Sequence, residues 1–328
     1  RRVKPGDRVA IDPPVSCHQC DQCLAGRPHT CRKLLYLGCP GQLEGCLGEL
    51  LVMPEECCFP VPERLSFTEA ALIEPLSIGV YALRQSIPMS GARIGILVLG
   101  PIGCGVRLMR TRLTRAELEP HVEALADALY HEVPCGVGST GAVRLVPREL
   151  NQVLREGARW AVGRGMGTPG DLDHCEEAGV LDGADPGAVS EGAKGRGRDQ
   201  LGTLGSGNHF LEVQEVDEIH DETGARALGL ERGMVTVMIH CGSRGLGHQV
   251  CTDHVRDVSR KLAGWGIHLP DRQLACAPLR SPEAAAYLGA MRAAANFAWA
   301  NRQVIAEEVR RAFERTLQHG PGKLGLTL

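Results

Sequence analysis

Four cysteines, Cys17, Cys20, Cys23 and Cys31, are spaced Cys-x2-Cys-x2-Cys-x7-Cys, and this spacing constrains the chain more than any other feature. Thiolates two residues apart wrap around one ion, and a fourth a few residues on closes a tetrahedron. Four soft thiolates select zinc, and a full shell makes the site structural. His18 and His29 lie inside the same stretch and are expected to face solvent, because the four sulfurs already fill the shell. Eight of the 14 cysteines fall within the first 58 residues. No apolar leader segment precedes them, so they read as metal ligands before disulfides, and a cytoplasmic setting is expected.

The pattern changes near Gly103-Cys104. Before it the chain is rich in Cys, Pro and short β-like runs. After it, helical periodicities alternate with apolar strands. The chain is expected to be α/β (α+β), with two domains, 1–103 and 104–328, and with signs of a parallel sheet. Helices are expected at Arg115–Tyr130, Pro147–Val162, Leu246–Ala263 and Pro282–Leu317, a strand at Met234–His240, and a long loop from Gly163 to Gly202. No apolar run is long enough to span a membrane. The net charge of −3 argues against a broadly basic nucleic-acid coat. The short run "GAKGRGR", Gly192 to Arg198, reads as a solvated basic loop.

Two histidines stand where Gly-rich turns meet strands. "GTLGSGNHFLEVQ" places Asn208-His209 before an alternating run, and "VTVMIHCGSRGLGHQ" ends an apolar strand at His240. Glycines let a metal or a phosphate approach the backbone closely. Imidazoles with a thiolate suit a divalent metal, and by donor chemistry alone that metal is zinc. His220, His248 and His254 have no such setting.

The stretches "VKPGDRVAIDP", the cysteine lobe, "IEPLSIGVYAL" and "ILVLGPIG" resemble the zinc-dependent medium-chain (sorbitol and alcohol) dehydrogenases, over about the first 103 residues. The resemblance implies a partial GroES-like β domain with a structural zinc lobe and the start of a Rossmann strand. It places Glu74 near the catalytic zinc. Gly100 and Gly103 match the dinucleotide turn, but Val98 stands at its first glycine. The family's catalytic Cys and His-Glu ligands would precede Arg1, and its nucleotide domain does not follow Gly103, so no hydride transfer is expected.

From Cys104 onward, "CGVRLMRT", "VPCGVGSTG", "GTLGSGNHFLEVQ", "HCGSRGLGHQV" and "YLGAMRAAANFAWANRQ" resemble the RtcB family of RNA-splicing ligases. The resemblance implies an RtcB-like α/β core. It implies GTP and Mn2+ as cofactors, with Cys104, His209 and His240 as manganese ligands and Cys104 bridging two ions. Asn208, His209, Phe210, Leu211 and Glu212 match positions that contact GMP or GTP. The implied reaction joins RNA 3′-phosphate or 2′,3′-cyclic phosphate ends to 5′-hydroxyl ends, with tRNA halves or broken RNA as substrate. The guanylate is first carried on a histidine, and the family places that histidine, and a further metal histidine, beyond "KLGLTL". His319 lies in a polar turn and does not replace them. Pro101 stands where the family motif has a metal-binding Asp. The expectation is therefore an inactive ligase fragment that forms no stable band with labelled GTP. The dehydrogenase and ligase strings share Ile102-Gly103, as a join of two gene fragments would. The alternative is a dehydrogenase-type fragment whose only role is structural zinc binding.

Overall fold

The structure is a computed structural model that describes residues 3–37, 42–43, 50–65, 70, 102–136, 138–267 and 275–328. Expectations for Glu74, Val98, Gly100 and Pro101 lie outside the described residues. The chain forms two compact units, Arg1–Ala92 and Arg93–Leu328. It is a mixed helix-and-strand protein.

In the first unit, β1 (Val9–Ile11), β2 (Pro14–Val15), α1 (Asp21–Leu24), β3 (Leu35–Tyr36) and β4 (Cys58–Pro60) make two short antiparallel pairs. Ala10 stands opposite Phe59 in β1–β4, and Val15 opposite Leu35 in β2–β3. With so few apolar residues to bury, a unit of this size needs a staple.

The second unit runs β5 (Gly105–Thr114), α2 (Arg115–Leu118), α3 (Val122–Glu132), α4 (Pro147–Glu156), α5 (Ala158–Gly163), α6 (Pro169–Asp173), α7 (Glu191–Gly197), β6 (Phe210–Glu215), α8 (Glu222–Leu228), β7 (Met234–Cys241), α9 (Arg244–Ser259), α10 (Pro282–Leu317) and α11 (Pro321–Leu324). The sheet order is β5-β7-β6, and both pairings are antiparallel. The expected parallel arrangement is thus corrected among the described residues: apolar runs did not reveal strand direction, which only long-range pairing sets.

Two expected helices are each broken in two. Pro120 lies in a 3-10 turn, Glu119–His121, between α2 and α3. Gly157 divides α4 from α5 with φ +56°, and a Cβ there would lie 2.2 Å from the Gly179 carbonyl oxygen. The expected loop 163–202 instead carries α6, α7 and short 3-10 turns. The "GAKGRGR" loop is helix α7: Ser190 caps it by accepting from the Ala193 N–H (3.1 Å), and Lys194 pairs with Glu191 (3.0 Å).

Helix α10 is the axis of this unit. Pro282 occupies its first turn, the Ser281 hydroxyl accepts from the Ala284 N–H (3.1 Å), and Gln318 ends it in a left-handed conformation. Its alanines let neighbours approach from several sides, so it is buried around most of its circumference. Phe297 packs with Leu150, Leu154 and Leu246, while Phe313 packs with Met109, Val237 and Ile239, so one helix serves two cores. Truncating either ring to Ala costs about 3–5 kcal/mol.

Candidate functional site

In the first unit, the Sγ atoms of Cys17, Cys20, Cys23 and Cys31 all lie within 4.8 Å of one another. Cys20 Sγ is 3.5 Å from Cys23 Sγ and 3.9 Å from Cys31 Sγ. A zinc ion with sulfurs at about 2.3 Å has tetrahedral edges of about 3.8 Å, so these residues can hold zinc. The backbone N–H groups of Cys17 and Lys33 donate to Cys31 Sγ, each at 3.3 Å. Backbone N–H groups of Arg32 and Cys23 aimed at Cys20 bring its thiol down to about 6. Partial desolvation, followed by the crowding of Cys20 and Cys31, pushes Cys23 up to about 12. His18 is half exposed, 3.5 Å from Glu56, and His29 is exposed.

In the second unit, antiparallel pairing brings the beginnings of β5 and β6 to the end of β7. Cys104 immediately precedes β5, His209 immediately precedes β6, and His240 is the penultimate residue of β7. Cys104 Sγ lies 3.3 Å from His209 Nε2 and 3.1 Å from His240 Nε2. The two imidazoles are 5.6 Å apart at 88°, so each meets the thiol edge-on to the other. The three sequence-predicted donors share one place, with sulfur as the common vertex.

The register places the remaining candidates. Val106, His240 and Phe210 form one row across the sheet, and Leu108, Met238 and Glu212 form the next row on the same face. Phe210 packs edge-on against His240, 5.3 Å between ring centres. Glu212 is exposed and accepts a hydrogen bond from Gln214 Nε2 (2.8 Å). Leu211 points to the opposite face and packs against the core, because strand side chains alternate. There it helps line a 920 Å³ cavity with Val213 and Leu129. Asn208 is exposed at the tip of the turn. The five-residue guanylate candidate is therefore divided between two faces.

Several supporting residues were not singled out in the sequence. Arg302 donates from Nη1 to the carbonyls of Gly103 and Cys241, both at 2.7 Å, and so ties the start of β5 to the end of β7. Asn301 accepts from the Gly202 N–H (2.7 Å) and the Thr203 N–H (3.2 Å) and donates to Thr203 O and Gly242 O. Arg244, in a left-handed conformation at φ +54°, donates to Thr203 Oγ1 (2.9 Å) and Gly136 O (3.1 Å). Gly205 makes room for His209: a Cβ there would lie 1.8 Å from His209 Nδ1. The signal available was "ANRQ", a polar run inside an alanine-rich helix, where a buried amide and guanidinium must find partners.

Burial lowers the His209 pKa, helped by His240, Arg244 and Arg302, and so favours the neutral, ligating imidazole. Burial pushes the Cys104 thiol up, with Cys241 adding and Arg302 opposing. Nδ1 of His209 is buried without a hydrogen-bond partner among the described residues. His220 is exposed near Glu218, His248 is exposed, His254 Nε2 lies 3.1 Å from Ala188 O, and His319 lies beside Lys323, all in ordinary structural settings.

A family model described as tRNA-splicing ligase RtcB matches residues 45–328. The chain belongs to the RtcB family. A second family model, the alcohol dehydrogenase GroES-like domain, matches residues 1–63. Among curated proteins, the tRNA-splicing ligase RtcB of Archaeoglobus fulgidus is 55% identical over 227 residues, covering 69% of this chain and 47% of the relative. That of Aeropyrum pernix is 51% identical over 238 residues, covering 71% and 50%. That of Pyrobaculum aerophilum is 53% identical over 229 residues, covering 68% and 47%. The chain spans about half the length of these RtcB relatives. Among the described residues, no helix is long and apolar enough to cross a membrane.

Proposed function

We propose that residues 104–328 form the metal- and guanylate-binding part of a GTP-dependent RNA ligase. The reaction joins RNA 3′-phosphate or 2′,3′-cyclic phosphate ends to 5′-hydroxyl ends. The observation that carries this reading is the thiol of Cys104 within 3.3 Å of two imidazole nitrogens at the tips of three strands. An S···N edge around a first-row cation is about 3.5 Å, so each thiol–imidazole pair accepts one ion with a small opening. Cys104 would be shared, with His209 and His240 each serving one Mn2+. Bound there, Mn2+ would neutralise charge on a transferring phosphoryl group.

The chain's own groups account for the rest. Neutral His209 offers Nε2, and Phe210 fixes the plane of His240. Glu212 exchanges its bond from Gln214 for the N–H edge of a guanine, and exposed Asn208 presents an amide to phosphate. Arg302 and Asn301 hold the strand tips in place. For residues 1–103 the proposed role is one structural zinc on Cys17, Cys20, Cys23 and Cys31, in the manner of the dehydrogenase lobe.

Manganese titration followed by electron paramagnetic resonance tests the ligase reading. Binding that is lost in His209→Ala and in Cys104→Ala is expected, with the zinc content unchanged. Manganese binding unaltered by both substitutions overturns it.

A further inference from the structure

A second cavity, about 390 Å³, runs along the outer side of β5, lined by Gly105, Arg107, Arg110, Cys175, Glu176 and Arg302 among others. Two of these groups are buried cations: Arg107 is 7% exposed and Arg302 5%. Neither has a carboxylate among its recorded partners. Arg107 donates to Gln303 Oε1 and to Cys175 Sγ (3.3 Å), and Arg302 donates to two backbone carbonyls. The nearby Asp171 is already committed to Arg310, which grips both its oxygens at 2.7 Å. Arg110, nearer the surface, donates to Thr327 Oγ1 and Leu228 O. The carboxylate on the wall, Glu176, is exposed, as is His174 beside it.

Buried charge is retained only where it is paired or where a counter-charge binds. Burial, and then the Arg107 charge, bring Arg302 down to about 10, consistent with two cations facing each other without compensation. Guanidinium groups present planar forks that match tetrahedral oxyanions, and a dianion offsets two of them. Exposed Glu176 opposes an anion only weakly, because water and salt screen it.

We propose that this cavity binds a phosphate-class oxyanion between Arg107 and Arg302, with Arg110 at its mouth. The site lies behind Gly105, one residue beyond Cys104, and stands apart from the metal reading: it requires neither manganese nor GTP. Free phosphate and the terminal phosphate of a nucleic acid share the required chemistry.

Cys175 reports occupancy, because its sulfur touches Arg107 inside the cavity. Iodoacetamide labelling of the whole chain is followed by peptide mass spectrometry, with exposed Cys135 as the internal control. Inorganic phosphate is expected to slow labelling of Cys175 saturably, about tenfold at ten times its dissociation constant, and to leave Cys135 unchanged. Potassium chloride at equal ionic strength should have no such effect. Arg107→Gln should abolish the protection, and surface Arg110→Gln should weaken it even if the first variant fails to fold. A 3′-phosphorylated oligonucleotide protecting at lower concentration than phosphate assigns the source to a nucleic-acid end, and equal or weaker protection assigns it to free phosphate. Equal effects of phosphate and chloride overturn the proposal. So does rapid Cys175 labelling that phosphate does not slow, because the thiolate itself would then supply the counter-charge.

Discussion

His240 Nε2 stands 3.1 Å from Cys104 Sγ, although 136 positions separate the two residues. The contact exists because β7 ends where β5 begins, and the same pairing brings β6 and His209 to the spot. His240→Ala is therefore expected to weaken manganese binding by more than about tenfold, since even residues behind a metal ligand cost that much. Calorimetric titration of manganese checks this, and an unchanged affinity would remove His240 from the site.

Gly205→Ala tests the same centre without touching a donor. The added methyl would meet His209 Nδ1 at 1.8 Å and Arg244 Nη1 at 2.8 Å. The imidazole must turn away from Cys104, so manganese affinity falls while far-UV circular dichroism stays native. Retained affinity with a native spectrum would show that His209 is not a ligand.

Asn301 satisfies two backbone N–H groups of the Gly202–Thr203 turn. Asn301→Leu strands both in a buried setting, at about 1–3 kcal/mol each. Urea unfolding should report a loss of that order, and a loss below about 0.5 kcal/mol, typical of surface changes, would argue that the turn finds other partners.

Asp171 gives the pH dependence. Burial raises its pKa, but the paired bonds from Arg310, with Gln303 and Thr168, outweigh burial and hold it below the ordinary carboxylate range. A lowered carboxylate pKa means that the unfolded chain binds the proton first. The stabilisation is then complete above about pH 4, the usual carboxylate value, and is lost as pH falls toward the folded value. Asp171→Asn leaves Arg310 partly unpaired, and removing one partner of a buried pair costs about 3–5 kcal/mol. Thermal unfolding across pH 2.5 to 6 should show a shallower acid slope in the variant; an identical slope would place the linkage elsewhere.

In the first unit, Cys20→Ser is expected to abolish bound zinc, and the unsubstituted chain should carry one equivalent. Metal analysis by mass spectrometry decides, and a full equivalent in the variant would exclude the thiol cluster as its holder.

The cysteine lobe was legible because its four donors lie within one short stretch, where spacing alone determines reach. His209 and His240 were legible as strand-end histidines beside glycines. Their convergence on Cys104 was not, because antiparallel register is set by partners more than a hundred residues away. The breaks at Pro120 and Gly157 were marked by the residues that cause them, yet helical periodicity ran through both. Arg244, Asn301 and Arg302 escaped because a polar residue in a helix or a turn shows its purpose only once its acceptors are in place.

Asn301, Arg302 and Gln303 occupy consecutive positions on α10, and they reach the 202–203 turn, the strand tips, and Arg107 with Asp171 respectively. A single turn of helix thus works as a common keystone. Sliding or rotating that turn would disturb all three regions at once, so adjusting the metal centre alone through this helix is not open to the chain, and variation there is expected to be inherited as a block.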